Sequence, residues 1–97
     1  MRMTRVLQFV PEGATSSRSI EVSIGVPKPD GDDNWWSLLE IIGFDEPYSK
    51  EIPGADAIQA VLSAAGIVRD LLASMAKGGH LTLDGSDDLG FRLAGDT

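Results

Sequence analysis

The chain is expected to be an α+β domain, an antiparallel sheet in the order β-β-β-α-β with one long helix packed across one face. Three observations carry that expectation. Residues 20–26, IEVSIGV, alternate apolar with small or polar side chains at a period of two. Residues 35–43, WWSLLEIIG, form a second β-compatible run ending at a glycine. Between residues 56 and 77 the apolar spacing changes to that of a helix.

The elements follow in chain order. Residues 4–10 hold Val6, Leu7, Phe9 and Val10 and suit a strand, and PEGATSS after them reads as a turn. In the next strand Ile20, Val22, Ile24 and Val26 share one face, with Ser19, Glu21, Ser23 and Gly25 on the other, until Pro27 stops it. KPDGDDN reads as a turn. In the tryptophan strand Trp35, Ser37, Leu39 and Ile41 form one face; Trp36, Leu38, Glu40, Ile42 and Phe44 form the other. DEPYSKEIPG reads as a loop leading to the helix, which spans about Asp56 to Lys77. Asp56 with Gln59 three residues on fits a capping box, and KGG supplies a terminal cation and a closing glycine. Gln59, Ser63, Gly66, Asp70, Ser74 and Lys77 gather into a polar stripe, opposite a central apolar row of Ala57, Val61, Ala65, Val68, Leu72 and Met75. HLTLDG is a short strand with Leu81 and Leu83 on one face, and DLGFRL adds Phe91 and Leu93 as anchors.

Ninety-seven residues, 42% hydrophobic and 24% charged, make one globular domain with a thin core. There is no cysteine, which removes disulfides, thiolate nucleophiles and sulfur-ligated metal together. The opening MRMTRVLQFVPEG lacks the apolar region and cleavage site of a signal peptide, and no window approaches the ~20 apolar residues of a membrane span. A cytoplasmic protein with no membrane partner is therefore expected. A net charge of −7 repels phosphate backbones, so nucleic acid is not an expected partner. The carboxylates fall mostly in turns, at Asp30, Asp32 and Asp33 and again at Asp84, Asp87 and Asp88, a scatter that suits solubility better than mimicry of nucleic acid.

Two features exceed what a simple sheet and helix need. The helix carries a second apolar row, Ala60, Ala64, Ile67 and Leu71, whose small residues would let another backbone approach closely. Arg69 lies on the opposite flank near Ile58, Leu62 and Ala76, where its stem can pack and its head reach water, or pair with a carboxylate. The tryptophan strand is apolar on both faces apart from Ser37 and Glu40. A chain with one long helix covers one face of its sheet, leaving Trp36, Leu38 and Ile42 to expose a few hundred Å², the size of an interaction patch. A homodimer is the expected use of such a surface.

WWSLLEIIGF, GADAIQAV and LTLDG…DDLGF, taken together, resemble a family of small bacterial domains of unknown function, over roughly residues 18–91. The resemblance implies that Trp35 begins its strand and that positions on the other strand face are more often polar. Trp36, Leu38 and Ile42 would then be peculiar to this chain. The resemblance supports the fold and implies no activity.

No chemistry is specified. His80 is the only histidine, and a surface position at a strand start accounts for it better than a metal. Asp84, Ser86 and Asp88 have the one-three-five spacing of a calcium loop, but Leu89 and Gly95 stand where its glycine and glutamate belong. No serine sits in a nucleophile elbow, and no glycine-rich phosphate loop is present. The expected function is a non-enzymatic protein–protein interaction domain that self-associates, with no cofactor. Its surface is Trp36, Leu38 and Ile42, or the helix row Ala60, Ala64, Ile67 and Leu71. The alternatives are a binder of a small apolar ligand lined by Trp35, Tyr48 and Phe91, or an acidic antagonist of a basic partner.

Overall fold

A computed structural model describes residues 2–31, 33–86 and 89. Among them, six strands and one helix follow in the order β1 (Arg2–Val10), β2 (Arg18–Gly25), β3 (Lys28–Pro29), β4 (Trp35–Ile42), β5 (Tyr48–Gly54), α1 (Ala57–Met75) and β6 (His80–Thr82). All pairings are antiparallel: β5 with β4, β4 with β2 and β3 along its other edge, β2 with β1, and β1 with β6. The helix covers one face of this open sheet, over β4 and β5 and, more lightly, β2. The α+β class is as the sequence predicts, with two more strands.

Both additional strands lie in stretches that read as turn or loop. β3 prolongs β2 past a β-bulge: Ile24 pairs with Leu39 and Lys28 with Trp36, so four steps on one side meet three on the other. Pro27, which has no amide to donate, fits that irregularity. β5 pairs with β4 from Tyr48↔Ile41 to Gly54↔Trp35. Only Ile52 of this strand is buried, while Ser49, Lys50, Glu51 and Pro53 are exposed. Proline and charge on an outer strand discourage further pairing, and they also erase the alternation by which a strand is recognised.

The core forms between α1 and the inner sheet face. Leu7 and Phe9 of β1, Ile20, Val22 and Ile24 of β2, Leu39 and Ile41 of β4 and Ile52 of β5 meet Ala64, Val68, Leu72 and Ala76. The helix contributes a straight four-residue line, Ala60, Ala64, Val68 and Leu72, all buried. That line runs between the two rows expected from the sequence and takes two residues from each. Small side chains at its N-terminal end have a reason: a Cβ on Gly54 would collide with the backbone N and Cα of Ala60. The helix therefore rests almost on the β5 backbone there. The close approach anticipated for another helix is made by this chain's own sheet.

Asp56 caps α1, its Oδ1 accepting from the Gln59 amide at 2.7 Å. Gln59 Oε1 accepts from the amide of Ala55 at 2.6 Å, one residue beyond the expected box. By length and composition α1 could cross a bilayer, with a mean hydropathy of 1.4 over an 18-residue window. This corrects the expectation that no window approaches a span; 22% of that window is buried inside the fold.

One side-chain direction reverses expectation. Gly43 adopts φ 126°, turning the chain as β4 ends. Phe44 consequently leaves the face it was assigned and packs on the core, edge to Phe9 with ring centroids 5.1 Å apart.

Candidate functional site: the outer face of the sheet

The sheet face away from α1 is built in rows by the strand register. One row is Val6, Glu21 and Ile42; the next is Thr4, Ser23 and Glu40. Arg2 lies opposite Gly25, against which Leu38 packs, and Lys28 lies opposite Trp36. Alternation alone puts these residues on one face, because the inward positions of the same strands are the core residues.

The chemistry of the face is banded. At one end Val6 and Ile42 are 49% and 46% exposed, which is high for large apolar side chains inside a sheet. In the middle, Thr4 Oγ1 and Ser23 Oγ share a hydrogen bond at 3.2 Å. Arg2 crosses this band to Glu40 at 3.2 Å and to Glu21 at 3.8 Å. At the other end Leu38 and Trp36 are half-buried, and Lys28 Nζ sits 5.7 Å from the Trp36 ring centroid. Because Gly25 has no side chain, a concavity of about 660 Å³ opens there, floored by Gly25, Val26 and Leu38 and rimmed by Arg2, Lys28 and Glu40.

The residues singled out from the sequence therefore divide. Trp36, Leu38 and Ile42 do share the outer face, but not as one patch: Glu40 and its ion pair with Arg2 separate Ile42 from the other two. Ala60 and Ala64 are wholly buried under the helix, and Ile67 and Leu71 pack against the core, so that row is not a free surface. The exposed large apolar side chains of α1 are instead Ile58 and Leu62, on the flank assigned to Arg69. Sequence reasoning missed Val6, Arg2 and Gly25; the alternation of Arg2, Thr4 and Val6 against Met3, Arg5 and Leu7 was the available signal.

The proposed ligand lining does not assemble. Trp35 and Tyr48 sit at opposite ends of the β4–β5 pair, six residues apart along β4, and Phe91 lies outside the described residues. A different groove, of about 390 Å³, opens near the C-terminal end of α1 between Phe9, Phe44 and Met75, with Glu12, Arg18 and Glu46 at its rim. Arg18 is held there by the Gly43 carbonyl, to which it donates at 3.1 Å, and by Asp45 at 3.6 Å.

The remaining polar candidates take structural places. His80 opens β6 opposite Val10. Asp84 and Gly85, with φ 50° and 82°, are the two central residues of a tight turn closed by reciprocal Leu83–Ser86 backbone bonds. Asp88 lies outside the described residues.

Among the described residues, fold and face together define an α+β domain with one helix, which packs on one side of an open antiparallel sheet. The chain belongs to the family described as domain of unknown function DUF6968, whose model matches residues 3–93. No curated protein and no solved structure matches the chain.

Proposed function

We propose that this domain is a non-catalytic protein–protein interaction module that self-associates through the outer face of its sheet. The observation that carries the reading is that Val6 and Ile42 stand half exposed on a sheet face that no other element among the described residues covers. Four strands about 4.8 Å apart and about eight residues long present roughly 500 Å² in projection. Side-chain relief brings that toward the ~800 Å² per partner of a standard interface. The face also carries both signs of charge, Arg2 and Lys28 against Glu21 and Glu40, as a surface that must complement itself requires. The exposed stripe of α1 is a weaker candidate, with only Ile58 and Leu62 as large apolar members.

Sedimentation equilibrium of the wild type, Ile42→Glu and Trp36→Glu tests this reading. A wild-type dimer and folded monomeric variants are expected. A monomeric wild type at all accessible concentrations would refute it, as would variants that remain dimeric.

A second reading, a binder of small apolar molecules, draws on the groove at Phe9, Phe44 and Met75. Native mass spectrometry of the purified chain separates the two. A retained small molecule on a monomer favours the ligand reading, and bare dimer favours self-association.

A further inference from the structure

The groove near the C-terminal end of α1 is floored by Phe9, Phe44 and Met75, and its volume of about 390 Å³ suits a ring with a short chain. We infer that this groove takes a small amphipathic organic cation, an amine whose apolar body lies on the two phenylalanines and whose ammonium faces Glu12 and Glu46. This step rests on the ligand reading given second above and does not depend on self-association.

The rim decides the charge of the occupant. Arg18 is already engaged, donating to the Gly43 carbonyl at 3.1 Å and pairing with Asp45 at 3.6 Å. Among the described residues Glu12 and Glu46 make no ion pair, and neither does Lys77. Two open carboxylates therefore stand against one open ammonium around an apolar floor.

The place of Glu12 adds to that excess. Its Oε2 lies 2.7 Å from where a Cβ on Gly78 would stand, just past the last residue of α1. A helix C-terminus carries negative partial charge and favours cations, yet the last turn of α1 supplies none. A carboxylate set at that end leaves a negative potential that an ammonium relieves. An anionic ligand would meet Glu12, Glu46 and the helix end together, and a neutral one would leave the potential uncompensated. The aromatic floor works in the same direction, because the faces of phenylalanine rings attract cations. Two glycines make the arrangement possible. Gly78, at φ 85°, leaves room for the Glu12 carboxylate, and a Cβ on Gly79 would collide with the Phe9 ring.

Three probes that share a ring and a two-carbon linker separate charge from shape: phenethylamine, phenethyl alcohol and hydrocinnamate, respectively cationic, neutral and anionic at neutral pH. Each is titrated into the intact chain, and binding is read from the methyl signal of Met75 in proton–carbon correlation NMR. Met3, at the other end of β1 from Phe9, is the internal control for diffuse attraction to an acidic protein. The amine is expected to shift the Met75 signal and leave Met3 still, with a Kd at least about threefold below that of the alcohol, the scale of exposed charge pairs together with a helix end. Hydrocinnamate should bind more weakly than the alcohol. Glu12→Gln and Glu46→Gln, both changes of exposed side chains, should each narrow the gap between amine and alcohol while the Kd of the alcohol stays put. In ~1 M salt, where the Debye length is about 3 Å, the gap should close.

Equal affinity for amine and alcohol, tighter binding of hydrocinnamate, or a gap unchanged in both glutamine variants would overturn the cation while the groove stands as a site for small apolar molecules. A Met75 signal that none of the three probes moves would overturn both.

Discussion

Replacing Gly54 by alanine tests how closely the helix approaches the sheet. The added methyl would occupy space already taken by the backbone N and Cα of Ala60, in the first turn of α1. Backbone cannot rotate away as a side chain can, so the helix must lift or β5 must retreat. Overpacking of this kind costs about 1–3 kcal/mol. Lifting α1 also loosens Ala60 and Ala64, which are now wholly buried, so we expect a total loss of about 2–4 kcal/mol. For a domain this size that is roughly 10–25 °C in melting temperature. Urea titrations of wild type and variant at equal protein concentration measure it, since association adds a concentration-dependent term. Ala60→Gly in the same background should not rescue, because the atoms struck are backbone and not the Ala60 methyl. A Gly54→Ala change within about 0.5 kcal/mol of wild type would refute the close approach, as would full rescue by Ala60→Gly.

Two other substitutions examine single interactions. The Ser37 hydroxyl is buried with no hydrogen-bond partner among the described residues, so Ser37→Ala should leave stability unchanged or raise it by up to about 1 kcal/mol in urea unfolding; a loss of stability would show that the hydroxyl is bonded. Asp56→Ala removes the acceptor for the Gln59 amide and should cost about 1 kcal/mol, read as a fall in thermal midpoint, whereas Asp56→Asn should recover most of it.

Much of the fold was legible because local rules and tertiary packing agree there. Ile20, Val22 and Ile24 alternate in the sequence and are the inward row of β2. The capping pair Asp56 and Gln59 marks the start of α1, and the aspartate and glycine of LTLDG form a tight turn. Legibility failed where the deciding contact is remote in sequence. The helix is apolar around more than half its circumference, and the close approach at Gly54 helps select the line Ala60–Ala64–Val68–Leu72 as the one that sits down. No pattern within the helix reveals that choice. β5 escaped notice because its outer position favours Lys50, Glu51 and Pro53 over an alternating apolar run. Phe44 was placed on the wrong face because strand alternation ends at Gly43, whose positive φ redirects the chain. Of the outer face, the apolar members Trp36, Leu38 and Ile42 were readable from β4 alone. The band that divides them needed the register of β1 with β2, which brings Arg2 and Thr4 across the sheet to Glu40 and Ser23.

The most direct measurement is the solution mass of the unaltered chain, by light scattering during size exclusion across a hundredfold range of loading. The chain mass is 10.3 kDa. A species of twice that mass at the upper concentrations, falling toward the chain mass on dilution or holding at twice throughout, is the expected result. A constant 10.3 kDa across the whole range would contradict self-association and leave Val6 and Ile42 exposed for some other purpose.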